Sequence, residues 1–121
     1  MTNVDVVLNE TLAIEGAVAA ALVDYESGMS LGQVGHGVDL DIAAAGNTDV
    51  IRAKLRTMER LGLDDTIEDI LITLGKQYHL IRLIQSQGGL GLFLYVVLTK
   101  GQANLALARR QLANIERRLE I

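Results

Sequence analysis

The residue types that carry chemistry are thinly spread along this 121-residue chain. Cysteine is absent, which removes a thiolate zinc site, a cysteine nucleophile and a disulfide framework together. The two histidines, His36 and His79, lie on different expected elements, and neither has a second histidine at helical or strand spacing. A metal site would need carboxylates to supply its remaining ligands, so both read as surface or interface residues. Ser27, Ser30 and Ser86 lack the G-x-S-x-G elbow that presents a nucleophile. Gly75-Lys76 is the only start of a phosphate loop. Ile70 stands where its first glycine belongs and Gln77 where its hydroxyl belongs, so a strand-to-strand turn is the better reading. Gly32, Gly35 and Gly37 have the wrong order for a dinucleotide fingerprint. The carboxylate pairs Asp39/Asp41, Asp64/Asp65 and Glu68/Asp69 fall beside turns or helix starts, where capping and solubility account for them without acid–base catalysis.

Two patterns remain. Arg52, Arg56 and Arg60 form a basic stripe along one helix. It reads either as a solvated face or as a docking surface for an acidic partner, with an arginine available toward a nucleotide. The second pattern is apolar. Ile70, Leu71, Ile72 and Leu74 run together, with only Glu68 and Asp69 as charged blockers at their start. At the rim of a sheet such a strand invites pairing with another chain, unless a helix or loop covers it.

These residues are held by a regular series of elements. Asn3 to Ile14 has Val4, Val7, Leu8 and Leu12 at helical spacing and stops before Gly16. Ala17 to Tyr25 reads as a strand of small residues, which suits helices lying close to a sheet. A turn at Glu26-Ser27-Gly28-Met29 leads to a short second strand, Ser30 to Val34. Asp39 to Gly62 is a second helix with Asp39 or Asp41 as its cap, an apolar stripe of Ile51, Leu55 and Met58, and Gly62 as its stop. Gly46-Asn47-Thr48 in its middle suggests a kink or a close packing contact. Three strands follow. Ile70 to Leu74 turns at Gly75-Lys76-Gln77, Tyr78 to Ile84 turns at 85–89, and Leu92 to Leu98 has no polar residue on either face. That last run belongs in the middle of a sheet covered on both sides. Gly101 to Leu119 is a third helix, with a stripe of Leu105, Ala108, Leu112, Ile115 and Leu119 and a capping-box spacing at Thr99 and Gln102. The expected fold is therefore α+β, in the order αββαβββα. Its sheet has five mainly antiparallel strands, with one helix on one face and two on the other.

The bulk numbers narrow the function classes. Half the residues are apolar, enough for one ordinary domain over 1–121 without staples. A net charge of −4 argues against nucleic acid as a partner. The longest apolar run, Leu90 to Leu98, is about half of the ~20 residues a membrane-spanning helix needs, and the N-terminus lacks a signal-peptide pattern. The expectation is a soluble, cytoplasmic protein without an integral membrane segment.

Three segments together resemble the bacterial roadblock/LC7 family, which is related to dynein light chains. They are Asp69-Ile70-Leu71-Ile72-Thr73-Leu74-Gly75-Lys76-Gln77-Tyr78-His79-Leu80-Ile81-Arg82, Leu92-Phe93-Leu94-Tyr95-Val96-Val97-Leu98 and Ala103-Asn104-Leu105-Ala106-Leu107-Ala108-Arg109. Ile14-Glu15-Gly16-Ala17, Ala21-Leu22-Val23-Asp24 and the turn at Gly28 fit the family's opening, so the likeness covers nearly the whole chain in the same element order. The resemblance implies a five-stranded antiparallel sheet related to the profilin-like fold, no cofactor and no catalysis. It implies a homodimer that pairs the third strands of two chains, with the second helices side by side, and a small Ras-like P-loop GTPase as partner. The alternative it leaves open is a structural scaffold subunit of a multiprotein signalling or motor complex, with no effect on nucleotide turnover. A small-molecule sensor or cryptic enzyme is the third reading, since related sheets can hold ligands, and the lack of any polar cluster counts against it.

Overall fold

Leu92–Thr99 is the strand around which the molecule is built, and its seven residues from Leu92 to Leu98 are all buried. The computed structural model describes residues 2–85 and 89–121; Ser86 and the centre of the turn expected at 85–89 lie outside the described residues. The elements are α1 (Val4–Leu12), β1 (Ala17–Asp24), β2 (Met29–Gly35), α2 (Leu40–Arg60), β3 (Asp69–Thr73), β4 (Gln77–Leu83), β5 (Leu92–Thr99) and α3 (Leu105–Glu116). The sheet has the order β2-β1-β5-β4-β3 with every neighbouring pair antiparallel. The α+β fold and the αββαβββα order are thus the expected ones.

The two faces of β5 explain the layers. Leu92, Leu94, Val96 and Leu98 share a buried cluster with Val7 and Leu8 of α1 and with Ala108, Leu112 and Ile115 of α3. Phe93, Tyr95 and Val97 share another with Leu40, Ala44 and Ile51 of α2. Alternation along a pleated strand sends successive side chains to opposite faces, so an unbroken apolar run needs cover on both. The small residues of β1 fit this arrangement: Ala19 and Ala21 face α2, while Ala20 faces the other layer.

Several boundaries differ from the sequence reading for local reasons. α1 stops at Leu12, two residues early, and the buried position at its end belongs to Thr11 while Leu12 is half-buried. Thr11 tolerates burial because its hydroxyl donates to the Val7 carbonyl at 2.8 Å. α3 starts at Leu105, not Gly101, and the expected Thr99/Gln102 capping box does not form. The Asn104 side chain caps the helix instead, accepting from the Leu107 N–H at 3.1 Å, while the Gln102 and Ala103 N–H groups close a turn on the Thr99 carbonyl. Asp39 is the cap of α2, accepting from the Asp41 and Ile42 N–H groups. At the other end Leu63 N–H bonds to the Met58 carbonyl and Gly62 N–H to Glu59, the double bond of a Schellman stop, with Gly62 at φ +69°. The close contact expected at Gly46 is absent: α2 runs on through it, and no atom of the described residues lies within 4 Å of a Cβ built there.

The Gly75-Lys76-Gln77 turn is shorter than expected. Leu74 N–H donates to the Gln77 carbonyl at 2.8 Å, so only Gly75 and Lys76 form the loop and Gln77 already belongs to β4. This tight closure fixes the β3–β4 register, which the functional argument depends on.

Candidate functional site

A sheet of this order has two edges, β2 and β3. β2 is irregular. Leu22 pairs with Gly32 and Val23 with Ser30, so Leu31 is an extra, unpaired residue. A bulge of this kind spoils the regular row of backbone groups that a second strand would need. Gly35, at the end of β2, has φ +89°, and a Cβ there would lie 2.2 Å from the Val18 carbonyl oxygen.

β3 is regular. Its ladder with β4 pairs Asp69 with Arg82, Ile70 with Ile81, Leu71 with Leu80, Ile72 with His79 and Thr73 with Tyr78. Leu83 N–H bonds to the Glu68 carbonyl, and Leu74 N–H to the Gln77 carbonyl. Hydrogen-bonded and non-bonded pairs alternate in an antiparallel ladder. The even positions 68, 70, 72 and 74 therefore bond to β4, and Asp69, Leu71 and Thr73 turn their N–H and C=O groups outward. Among the described residues none of these three makes a backbone hydrogen bond beyond the ladder. The edge is a row of unpaired donors and acceptors at every second residue.

The expected edge residues fall into distinct places on this frame. Leu71 directs its backbone outward and its half-buried side chain toward the α1/α3 layer. Ile70 bonds its backbone to β4, and its half-buried side chain packs toward α2. Ile72 shares that backbone alternation and is half-buried. Leu74 lies one residue beyond β3 in the hairpin closure and is 43% exposed. Asp69 and Thr73, whose outward backbone groups complete the edge, were not singled out from the sequence. The two-residue closure at Gly75-Lys76 was the signal that would have found them, since it sets which parity faces out.

The arginine stripe divides in the same way. Arg52 donates from Nε to the Tyr25 carbonyl at 3.1 Å and from a terminal nitrogen to the Glu26 carbonyl. It ties α2 to the β1–β2 turn. Arg56 and Arg60 are exposed and take part in none of the ion pairs among the described residues. Beside them, Ile42, Gly46, Val50, Ala53, Thr57 and Leu61 follow each other at intervals of three or four on an outward face of α2, all exposed. Ile42 is 71% exposed and Leu61 65%, which leaves the helix with apolar side chains on the face away from the sheet.

Two polar arrangements near the edge escaped the sequence reading. Arg109 of α3 clamps Asp69 with two hydrogen bonds of 2.9 Å, and this contact holds the guanidinium above its ordinary value. His79 is half-buried with both ring nitrogens engaged, Nδ1 with the Tyr95 hydroxyl at 3.0 Å and Nε2 with Gln77 Oε1 at 2.9 Å. Burial pushes the Tyr95 phenol up, against a hydrogen bond with Asn47 that pulls it down. Tyr95 is 1% exposed, so its phenol is withdrawn from solvent, while the half-buried His79 lines a cleft beside Ile42, Gly46 and Asn47 of α2. His36 is exposed. Among the described residues no group of three or more histidine or acidic side chains is placed to hold a metal, and no helix is long and apolar enough to cross a membrane.

Burial holds the His79 imidazole below its ordinary 6.5. A histidine with a depressed folded value prefers to stay neutral, so its stabilisation is complete above 6.5 and is lost as pH falls through the folded value. Denaturant titrations across this range give lower stability at the acid end, and His79→Phe flattens that slope.

No family model matches the sequence, and no curated protein matches it. Solved structures do. A roadblock/LC7 domain from Streptomyces avermitilis superposes with a TM-score of 0.80 at 15% identity, covering 96% of this chain and 93% of that one. The chain has the roadblock/LC7 fold. MglB from Myxococcus xanthus gives a TM-score of 0.80 at 16% identity, over 94% of this chain and 89% of its own. An MglB solved in a tetrameric arrangement gives 0.69 at 19% identity, over 94% and 88%.

Proposed function

We propose that this chain is a non-catalytic, cytoplasmic, homodimeric adaptor, a single roadblock/LC7-like domain over 1–121 that binds and regulates a small Ras-like GTPase. The observation that carries this reading is the regular, unpaired β3 edge beside an apolar outer face of α2. Two copies pairing antiparallel with Leu71 on the two-fold axis set Asp69 against Thr73 of the second copy. All three outward residues then find hydrogen-bonding partners; a slip of two residues leaves one of them unmatched. The same register brings Ile70 opposite Ile72 of the second copy on the α2 face, and Leu71 opposite its own copy on the other, two kinds of favourable cross-strand contact. The continued sheet brings the α2 helices toward each other, with Ile42, Val50 and Leu61 available to be covered. The tetrameric arrangement of the neighbouring MglB is in keeping with self-association. Arg56 and Arg60, exposed and without an ion pair among the described residues, give the adaptor a cationic surface for its second partner.

Leu71→Lys places two ammonium groups on the axis of the pair, and the chain then sediments as a folded monomer where the parent sediments as a dimer. A parent that sediments as a monomer at micromolar concentration would falsify the homodimer. The GTPase half of the reading is tested by capture from the host's lysate on the tagged chain. Recovery of a P-loop GTPase whose hydrolysis rate changes on adding the chain supports it. A bound GTPase with an unchanged rate, or structural subunits alone, favours the scaffold alternative.

A further inference from the structure

The ends of the β3 edge carry opposite charge. Asp64, Asp65, Glu68 and Asp69 lie at its start, and Lys76 lies in the hairpin loop past its end, with Lys100, just past the end of β5, behind it. The start is not neutralised within the chain except at one residue: Arg109 engages Asp69, while Asp64, Asp65 and Glu68 are exposed and in no ion pair among the described residues. Lys54 of α2 lines the same cleft as Asp65 and Glu68 without closing on either within 4.0 Å. At the far end Lys100 N–H bonds to the Lys76 carbonyl at 3.0 Å, which holds the two lysine backbones together beside the hairpin tip. Both lysines are exposed and in no ion pair among the described residues, and Lys100 Nζ stands 5.8 Å from the centre of the Tyr78 ring.

We propose that this polarity is a recognition code: the acidic approach (Asp64, Asp65, Glu68) and the basic exit (Lys76, backed by Lys100) of the β3 edge attract each other between two copies of the chain. The proposal rests on the homodimer reading above. With Leu71 on the two-fold axis, Leu74, the last residue before the hairpin loop, lies opposite Glu68 of the second copy. Lys76, in the loop just past it, then stands near Glu68, with Asp65 three residues further along, at the reach of a lysine side chain. The two-fold repeats the contact at the other end, so Lys76 of each copy faces the acidic approach of the other. A parallel pairing brings acid to acid and lysine to lysine, and a register slip separates the ends. The backbone row makes the edge adhesive to any strand; the charges restrict it to strands that enter acidic and leave basic, of which a second copy of this chain is one. A partner strand with uniform charge is repelled at one end.

Two full-length variants test the code. Lys76→Glu with Lys100→Glu makes both ends of the edge acidic, and Asp65→Lys with Glu68→Lys makes both ends basic. All four side chains are exposed, so both variants fold, which thermal melts verify. At low salt each variant self-associates at least about tenfold more weakly than the parent, since like charges now face each other at both ends. Mixed in equal amounts they form a heterodimer, resolved by mass in native mass spectrometry, and added salt narrows the difference from the parent. Parent-like self-association of both variants, with Leu71→Lys still monomeric, overturns the charge code and leaves the homodimer standing. A parent that is monomeric under the same conditions, or a dimer indifferent to Leu71→Lys, overturns the β3 pairing and the code with it. Capture of a different strand by either variant, in preference to its complement, also overturns the code.

Discussion

Truncating Leu112 to alanine lowers the unfolding free energy by about 2–5 kcal/mol in denaturant titrations. α3 is twelve residues long, too short to persist by its own backbone bonds, so its place depends on the apolar stripe it buries. Ala108, Leu112 and Ile115 are that stripe, continued by Leu119 just past the helix, and Leu112 is fully buried. It belongs to the cluster that holds Leu8 of α1 and Leu80, Leu94 and Val96 of the sheet. The alanine leaves a cavity among fixed neighbours, and their inability to close it sets where in the range the loss falls. Leu107, 44% exposed on the same helix, is the control: Leu107→Ala stays close to the parent. A neutral Leu112→Ala would mean that α3 does not rest on the sheet by this face.

Glu116→Ala costs about 3–5 kcal/mol, although no apolar contact is the target of the change. Glu116 closes α3 with its side chain 3% exposed, and its Oε1 accepts from an Arg82 terminal nitrogen at 3.4 Å. Arg82, on β4, is itself 15% exposed in its side chain. The pair is not fully satisfied: among the described residues Arg82 Nε and Glu116 Oε2 are buried without a hydrogen-bond partner. Such a pair adds little over an apolar replacement, because both ions have lost their water, yet removing one partner strands the other. The double replacement Arg82→Met with Glu116→Leu is accordingly near-neutral or stabilising while each single change destabilises. A double-mutant cycle in urea reads the coupling directly. A double loss equal to the sum of the two single losses would show that the two charges do not depend on each other.

Most of the architecture was legible in the chain because its signals are local. The uninterrupted apolar run at Leu92–Leu98 required cover on both sides, and that alone placed β5 in the centre with helices on both faces. Asp39 and Gly62 marked the ends of α2 through donors and conformations that neighbouring residues dictate. The start of α3 was misjudged because Thr99-x-x-Gln102 has the capping spacing, while the carboxamide of Asn104 is the group in reach of a free helix N–H. Leu12 and Thr11 exchanged roles because a threonine can return its hydroxyl to the helix backbone and so be buried.

The candidate site divides along the same line. Composition and spacing alone argued against a nucleophile elbow, a thiolate zinc site and a nucleotide loop, and pointed to Ile70, Leu71, Ile72 and Leu74 as an apolar edge and to Arg52, Arg56 and Arg60 as a basic stripe. Tertiary structure decided what each residue does there. Arg52 is bound to the carbonyls of the β1–β2 turn, a contact between positions more than twenty-five apart in sequence. Leu74 closes a hairpin, and Asp69 and Thr73 take up the edge, because the parity of outward backbone groups follows from a ladder register that exists only once β3 and β4 are paired. Arg82 with Glu116, Arg109 with Asp69 and His79 with Tyr95 are likewise pairs of distant residues. The sequence by itself determined which stretches are apolar, where they turn and how many faces they must bury, since these depend on neighbours along the chain. Which backbone groups stay unpaired, and which charges stay free to meet a partner, was decided by contacts between distant elements.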